Sequence, residues 1–386
     1  MNIQIDEDYV LGALRDLVHI NSVNPALMSD APGESEIASY VWKALDAIGL
    51  DTKRLESTPG RASVVGKQDG SGDGKSLMLN AHLDTVGIVG MDEPFSARVE
   101  GGRLYGRGSY DMKGALAACL GAAKALGDAR INLAGDLLIA AVADEEHASI
   151  GMSDVIGVYD VDAAIVTEPT QLEICLAHKG FAWIEIETFG KAAHGSQFTL
   201  GVDANMSMGR VLAELQRLQR QFERNPGHSL LGPPSLHAAL IQGGTAESVY
   251  AANCRLTVER RTIPGETESQ VMGEMLQIIE KLKASDPKFV ATVSSTLYRQ
   301  PFEVSQRAEI VQALEKTATA VLGATPSFVG ENPWMDSALL AEAGVETVVM
   351  GPSGGGAHSD EEWVEIESVI ALAEILARTA IEYCGT

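Results

Sequence analysis

Four apolar stretches of this sequence run directly into side chains that can bind a metal ion. The stretches LMLNAHLD, DLLIAAVADEE, DAAIVTEP and ETVVMGPSGGGAH carry, in that order, His82 with Asp84, Glu145 with Glu146, Glu168, and His358. A run of four to eight apolar residues bounded by polar residues or glycine is typical of a buried strand. In open α/β sheets, functional groups collect beyond the carboxyl ends of the strands. We therefore expect these distant residues to meet at one edge of one sheet.

A further candidate, Asp111, lies in the segment RLYGRGSYDMKG, just before a predicted helix. Taken alone, it could be a helix N-cap, for which aspartate is among the best residues. The pair His82 and Asp84 could likewise be structural, and the acidic triplet 144–146 could be a solvated turn. Considered together, these residues favour a cation site, because carboxylates crowded into one crevice repel one another unless cations are present.

Two histidines with several carboxylates form a donor set that suits Zn²⁺, with Co²⁺ or Mn²⁺ as possible substitutes. Two such ions that share carboxylates can activate a water molecule and polarise a carbonyl group. A carboxylate left over can take the proton of that water as general base and pass it to a leaving amine. Neighbouring residues on an extended backbone point to opposite sides, so Glu145 and Glu146 can have different tasks. The residue types therefore predict a hydrolytic site, with amide cleavage as its natural reaction.

The elements that must position these residues fall into two groups. The chain has 386 residues, more than one hydrophobic core usually serves, so two domains are expected. Strands alternate with helical patterns from 62 to 180, whereas from 181 the order becomes β-α-β-β-α-β, the ferredoxin-like split pattern. We predict a catalytic α/β domain formed by 1–180 and 297–386, with an inserted domain at 181–296. The two flanking pieces must rejoin, because His358 has to reach the site formed by the first piece.

Local signals predict several element boundaries. Helical patterns extend over about 7–20, 34–48 and 202–223, and Gly49 is the expected C-terminal cap of the second. Gly101 and Gly102 predict the turn of a hairpin in the segment FSARVEGGRLYG. Thr267 and Gln270 form a capping-box signal at the start of a helix over about 268–284.

Composition restricts the partners and the compartment. The formal net charge of −24 argues against a nucleic-acid partner, which would require clustered lysine and arginine. The four cysteines form no CxxC pair, which fits a reduced, cytoplasmic setting. The start of the chain, MNIQIDEDYV, shows no secretion signal, and no run of 18 apolar residues predicts a membrane span. We therefore expect a small-molecule substrate, no nucleic acid and no membrane.

The sequence resembles the co-catalytic zinc aminoacylase/carboxypeptidase family. Its members include acetylornithine deacetylase, succinyl-diaminopimelate desuccinylase, aminoacylase and the glutamate carboxypeptidases. The resemblance covers nearly the whole length, through the segments HLDTV, GRGSYDMKG, DEE, TEP, HKG, GKAAHGS, RRTIPGE and AHSDEEW in that order. It implies a zinc-peptidase-like mixed sheet flanked by helices, with an inserted ferredoxin-like lid domain.

The resemblance also assigns metal ligands for two Zn²⁺ ions per subunit. It implies that Asp111 bridges the two ions. His82 and Glu168 would complete one site, and Glu146 and His358 would complete the other.

Further roles follow from the resemblance alone. Glu145 matches the general base, and Asp84 matches the carboxylate that orients the ring of His82. His194, in GKAAHGS, matches a lid histidine that polarises the substrate carbonyl and, in dimeric relatives, enters from the partner subunit. A homodimer through the lid is therefore expected.

Three residues are expected to contact substrate. Arg261, in ERRTIPGE, matches the lid arginine that holds a substrate carboxylate, and Arg260 is expected to face solvent. Gly355 belongs to the glycine-rich loop that can lay the following histidine over the site. Ser248 stands where relatives often carry an asparagine that contacts substrate. Trp334 would add apolar area if its loop lines the site, which would favour a bulky or aromatic group; a core position is the alternative.

The sequence therefore predicts a di-metal hydrolase that cleaves an amide of an N-acyl amino acid or small peptide-like substrate bearing a free carboxylate. One alternative keeps the site but hydrolyses a non-peptide C–N bond. Another is a non-catalytic binding protein on the same scaffold, although every metal position and the base retain a competent side chain. A cysteine hydrolase is disfavoured because no cysteine lies in a nucleophile motif.

Overall fold

The computed structural model describes residues 3–386, and the chain divides into two compact units. Unit 1 comprises the chain up to Leu176 together with Val304–Val329 and Met335–Thr386. Unit 2 comprises Ala177–Glu303 and Gly330–Trp334. The insertion predicted at 181–296 falls inside unit 2, and its role as a lid and dimerisation domain stays a prediction.

The α-helices within residues 3–386 are α1 (Glu7–His19), α2 (Ser35–Ile48), α3 (Gly114–Asp128), α4 (Ile150–Ile156), α5 (Ala204–Phe222), α6 (Glu268–Ser285), α7 (Glu309–Leu322), α8 (Ser337–Glu342) and α9 (Ile366–Cys384). A turn over Ser109–Lys113, in which Asp111 and Met112 have non-helical backbone angles, leads directly into α3.

The strands in the same range are β1 (Asp51–Leu55), β2 (Ser63–Gln68), β3 (Leu77–His82), β4 (Arg98–Glu100), β5 (Arg103–Tyr105), β6 (Leu137–Val142), β7 (Ala163–Val166), β8 (Ile174–His178), β9 (Gly180–Phe189), β10 (Ser235–Gly243), β11 (Asn253–Thr262), β12 (Val290–Arg299), β13 (Phe302–Glu303), β14 (Phe328–Glu331), β15 (Glu346–Val349), β16 (Gly354–Gly355) and β17 (Trp363–Glu365).

A mixed sheet forms the centre of unit 1, in the strand order β1-β2-β6-β3-β7-β15-β8. Its central strands β6, β3, β7 and β15 are parallel, whereas β1 and β2 join antiparallel at one side. Every residue of β3, β6 and β7 is buried, which explains why these strands are continuous apolar runs rather than alternating ones. Helices α2, α3, α4 and α9 pack on the strands of this sheet.

Helix α3 is buried almost all round, so its small residues determine how closely its neighbours approach. It packs against α1, α9 and β3. At Gly121, an added Cβ would lie 2.5 Å from Cγ2 of Val10 in α1. The small-residue pattern of α3 is therefore a packing requirement, because a larger side chain would push the helices apart.

Unit 2 has its own core beneath an antiparallel sheet in the order β10-β11-β9-β12. Burial alternates along β9 and β11, and the buried side chains pack with those of α5 and α6. The element order β9-α5-β10-β11-α6-β12 is the β-α-β-β-α-β pattern expected from the sequence. The predicted fold class, a mixed sheet flanked by helices with this insertion, is confirmed.

The element boundaries predicted from local sequence signals are also present in the structure. Gly49 caps α2 with a left-handed φ of 96°. The backbone turns at Gly101 and Gly102 between β4 and β5. Thr267 and Gln270 form the complete capping box of α6. Among residues 3–386, no helix combines the length and the apolar character needed to cross a bilayer.

Two glycine-to-alanine substitutions should have opposite effects on stability. Gly12→Ala in α1 meets nothing within 4 Å, so improved helix propensity should raise the free energy of unfolding by about 0.5–1 kcal/mol. Gly121→Ala should lower it by about 1–3 kcal/mol, because Val10 leaves no room for the added methyl group. Thermal unfolding of both variants measures the difference. Equal stabilisation by both would show that α1 and α3 pack less closely than described.

Candidate metal centre

The parallel strands deliver several candidate ligands to one edge of the sheet. His82 is the last residue of β3, and it pairs with Val142, the last residue of β6. Glu145 and Glu146 follow β6 after a short turn, and Glu168 follows β7. Because parallel strands end at the same edge, positions far apart in the sequence become neighbours.

The carboxylate of Asp111 lies between the two histidines. Its Oδ1 is 3.0 Å from Nε2 of His82, and its Oδ2 is 3.3 Å from Nε2 of His358. Each histidine also faces a second carboxylate: Glu168 Oε1 lies 3.6 Å from His82 Nε2, and Glu146 Oε2 lies 3.1 Å from His358 Nε2. The structure thus brings together all five residues predicted as ligands and places Asp111 at their centre.

The donor atoms fit metal ions in spacing and in chemistry. One oxygen or nitrogen from each of His82, Glu145 and Glu168 lies within 4.8 Å of the others, and the same holds for His82, Asp111 and Glu146. Nδ1–H of His82 donates to a backbone carbonyl, which leaves Nε2 as the free ligand atom facing the carboxylates. Imidazole nitrogens with carboxylate oxygens are a donor set that Zn²⁺, Co²⁺ and Mn²⁺ accept.

The charges in this cluster show why a cation belongs there. Burial raises the pKa of Glu168 well above its usual value, and the nearby charge of Asp111 raises it further. Burial would lower the pKa of His82, but the charges of Glu168 and Asp111 raise it well above the usual value. Hydrogen bonds to Asp111 and Glu146 raise the pKa of His358 to about 10. Bound divalent cations would offset the same negative charge.

Asp84 has a different contact from the predicted one. Nδ1–H of His82 donates to the backbone carbonyl of Asp84 at 2.8 Å, whereas Oδ1 of the carboxylate is 3.8 Å away. The carboxylate instead accepts the backbone N–H groups of Glu145 at 3.0 Å and of Glu146 at 3.2 Å. The hydrogen bond that orients the ring of His82 therefore comes from the backbone of Asp84, and the predicted role of its carboxylate toward this ring stays a prediction.

Glu145 lies beside His82 and Glu168. Burial raises the pKa of Glu145 well above its usual value, and the negative charges of Glu168 and Asp336 raise it further. Asp336, which precedes α8 and is 1% exposed, is an acidic residue that the sequence analysis did not identify. The role of Glu145 as general base stays a prediction.

Glu362 and Arg107 hold the two ligand-bearing loops together, and the sequence analysis missed both. Glu362 accepts the backbone N–H groups of Gly108, Tyr110 and Asp111 at 2.9–3.0 Å. Arg107 donates to Glu362 at 2.7 Å and to the backbone oxygen of Ser359 at 2.9 Å. Nothing in their spacing could have revealed this pair, since 255 positions separate them.

The loop that carries His358 contains residues with positive φ angles. His358 has a φ of 60°, and Gly356, two residues before it, has a φ of 80°, so both lie in the left-handed region. An added Cβ at Gly356 would overlap the backbone oxygen of Glu361, so only glycine fits there. Gly355 lies in β16, paired with Trp363 of β17, and its predicted substrate contact stays a prediction.

Within unit 2, two predicted substrate residues lie side by side. His194 forms a β-bridge with Val249, and the N–H of Gly195 donates to the oxygen of Ser248 at 2.7 Å. The ring of His194 is exposed, and its Nδ1 lies 2.8 Å from the hydroxyl oxygen of Ser196. Their roles toward substrate stay predictions.

Of the two neighbouring arginines in β11, Arg260 contradicts the prediction made from the sequence. Arg260, predicted to face solvent, is fully buried, where it contacts Glu266 and Glu274 and lies over the ring of Phe222. The alternation of side chains along a strand places Arg261 on the other face of the sheet. The prediction for Arg260 was wrong because its charge is paired inside unit 2.

Glu362→Gln should weaken metal binding by about 10- to 100-fold, because loss of a supporting contact misplaces the ligands. Glu361→Gln is the matched control, since Glu361 is exposed in the same loop whereas Glu362 is 1% exposed. Competition with a chelator measures the affinity of each variant. Equal affinity of both variants and the wild type would show that Glu362 does not support the centre.

The chain is similar to known proteins over most of its length. The chain matches the profile described as Peptidase family M20/M25/M40 over residues 78–382. It is 30% identical to an acetylornithine deacetylase of Myxococcus xanthus, over 90% of this chain and 92% of the relative. It is also 30% identical to an N-formyl-4-amino-5-aminomethyl-2-methylpyrimidine deformylase of Bacillus subtilis (strain 168), over 90% of this chain and 89% of that protein.

Solved structures share the fold at lower identity. The aminopeptidase PepT of Bacillus cereus superimposes with a TM-score of 0.80 at 18% identity, over 98% of this chain and 99% of that one. The YXEP protein of Bacillus subtilis, described as a dinuclear metal-binding peptidase of the M20 family, gives a TM-score of 0.77 at 18% identity over the same shares. The matched region spans the candidate ligands His82 to His358. The chain therefore belongs to peptidase family M20/M25/M40, and it is a hydrolase with a candidate metal centre at the carboxyl ends of its parallel strands.

Proposed function

We propose that this protein uses two divalent ions to hydrolyse an amide bond of an N-acyl amino acid or a small peptide-like substrate with a free carboxylate. The observation that carries the proposal is the position of Asp111, whose two oxygens face two different histidines. Each histidine has its own second carboxylate, and Glu145 is the neighbouring carboxylate that we do not assign as a ligand. We propose Zn²⁺ for both positions, with Co²⁺ or Mn²⁺ as possible substitutes.

The residues of unit 1 have separate roles in the proposed hydrolysis. The bound ions would activate a water molecule and polarise the substrate carbonyl. Glu145 takes a proton from the attacking water at its carboxylate and gives it to the nitrogen of the leaving amine. Asp84 supports this step by holding the backbone of Glu145 and Glu146.

The residues of unit 2 would bind and orient the substrate. Arg261 is bound through Nε to Glu259 at 2.7 Å, and within residues 3–386 its terminal nitrogens have no hydrogen-bond partner. This fork suits a substrate carboxylate. His194 donates a hydrogen bond to the developing oxyanion, entering from the partner subunit, and Ser248 lies beside it.

We also propose a homodimer formed through unit 2. Strand β10 is an edge strand, and its residues Leu240 and Ile241 are 71% and 57% exposed. On α5, Met206 is 72% exposed. An exposed apolar edge strand favours pairing with another strand, and a second copy offers one. The free, buried cysteines fit a cytoplasmic protein, and the charge of −24 argues against nucleic acid.

A second candidate reaction is removal of an acyl group, such as formyl, from an amino or aminomethyl group carried by an aromatic ring. The similarity to the pyrimidine deformylase favours this alternative. Unit 2 also carries an aromatic group in which Phe181 and Trp334 lie edge to face at 6.2 Å. Such rings could stack on a planar substrate.

Replacement of the proposed base should separate chemistry from metal binding. With N-acetyl-L-ornithine, other N-acyl amino acids, dipeptides and N-formyl aryl amines as a panel, the wild type should cleave at least one amide class. Glu145→Gln should lower kcat by about 10²- to 10⁴-fold and retain the metal content, because only the proton acceptor is lost. Kinetics and elemental analysis provide the two measurements. Loss of metal in Glu145→Gln would instead make Glu145 a ligand.

Removal of metal should lower both activity and stability. A chelator should abolish turnover, and added Zn²⁺ should restore it. Because the ions bind the folded state, saturation at about 100 times Kd should add about 2.7 kcal/mol per ion to the free energy of unfolding. Thermal unfolding with and without chelator measures this effect. Undiminished turnover after complete metal removal would exclude the proposed function.

A further inference from the structure

The turn that carries Glu145 is restrained by a buried network behind it. Asp144 begins this turn with a φ of 68°, in the left-handed region that residues other than glycine seldom adopt. Its backbone oxygen accepts the N–H groups of His147, Ala148 and Ser149. A backbone in this conformation persists only where its surroundings hold it.

Those surroundings centre on Arg61, which lies in the loop between β1 and β2. Its Nε and Nη2 donate to the two oxygens of Glu34 at 2.8 and 2.6 Å, and Nη2 also donates to Oδ1 of Asp144 at 2.6 Å. Glu34 accepts the backbone N–H of Asp144 at 3.2 Å. Arg61 and Glu34 therefore hold both the side chain and the backbone of Asp144.

Asn24 links this group to Asp84. Its Nδ2 donates to Asp84 at 2.8 Å and to Asp144 at 3.0 Å. Asp84 in turn accepts the backbone N–H groups of Glu145 and Glu146. The restraints on the turn thus form one connected network of hydrogen bonds.

The charges make Arg61 central to this network. Glu34, Asp84 and Asp144 are all fully buried, and Arg61 is 9% exposed. Among residues 3–386, no other guanidinium or ammonium group lies within 4.0 Å of these three carboxylates. A lysine would keep the charge, but it lacks the planar fork that reaches Glu34 and Asp144 at once.

We infer that Arg61 is a positioning residue for the general base: through Glu34 and Asp144, its guanidinium fixes where the turn presents the carboxylate of Glu145. This inference rests on the proposed function of Glu145. The side-chain hydrogen bonds of Arg61 go to Glu34 and Asp144, neither of which is a predicted metal ligand, so it acts through the turn rather than on the ions.

Arg61→Lys and Asn24→Ala test the inference in the metal-loaded protein. Each should lower kcat at least tenfold, because a small misplacement of a catalytic group is costly in rate. KM should change less than about twofold, and the metal content should equal that of the wild type. Thr379→Val is the control, since it removes a buried hydrogen bond to Thr317 in the same unit and should lower Tm without lowering kcat. Asn24→Ala leaves the ion pairs of Arg61 intact and remains informative if Arg61→Lys does not fold.

The possible results separate this inference from the proposed function. If the wild type cleaves no panel compound, the proposed function fails. The inference about Arg61 is then tested by comparing the position of Glu145 in crystal structures of the metal-loaded wild type and Arg61→Lys. A displaced Glu145 carboxylate beside unmoved His82 and Asp111 supports it, whereas an unmoved turn overturns it. With an active wild type, an unchanged kcat in both variants overturns it. A kcat that falls only in proportion to lost metal also overturns it, because Arg61 would then support the ligands rather than the base.

Discussion

Mutual repulsion among buried carboxylates is the constraint on which this structure depends. Asp111, Glu145, Glu146 and Glu168 lie at one sheet edge, where burial removes the water that would screen their charges. Hydrogen bonds to the two histidines offset part of this repulsion. The remaining negative charge favours divalent cations, and the mixed sheet supplies the framework that keeps the ligands together.

Buried arginines make this framework possible. Arg107 with Glu362 connects the turn of Asp111 to the loop of His358. Arg61 with Glu34 supports the turn after β6 on another side. In each case a guanidinium group forms several directed hydrogen bonds at once, which fixes geometry as well as balancing charge. The centre is therefore supported by loops held through ion pairs, in addition to the hydrophobic core beneath it.

The sequence predicted those features that depend on local pattern. The apolar runs before His82 and Glu168 are buried parallel strands, and the capping box of α6 forms as its residues indicated. Features that depend on long-range pairing escaped prediction. Glu362 looks like one more acid in an acidic loop until the fold brings Arg107 to it. Arg260 looked exposed because its two glutamate partners become apparent only when α6 packs on the sheet.

The two halves of the candidate centre differ in their contact with solvent. The ring of His82 is 1% exposed, whereas that of His358 is 54% exposed. His82 ends a central strand, while His358 stands on a loop with a left-handed backbone. An ion held by His358 and Glu146 would consequently exchange faster with the surrounding medium than one held by His82 and Glu168. Under metal scarcity, the asymmetry favours a singly occupied species whose remaining ion occupies the interior position.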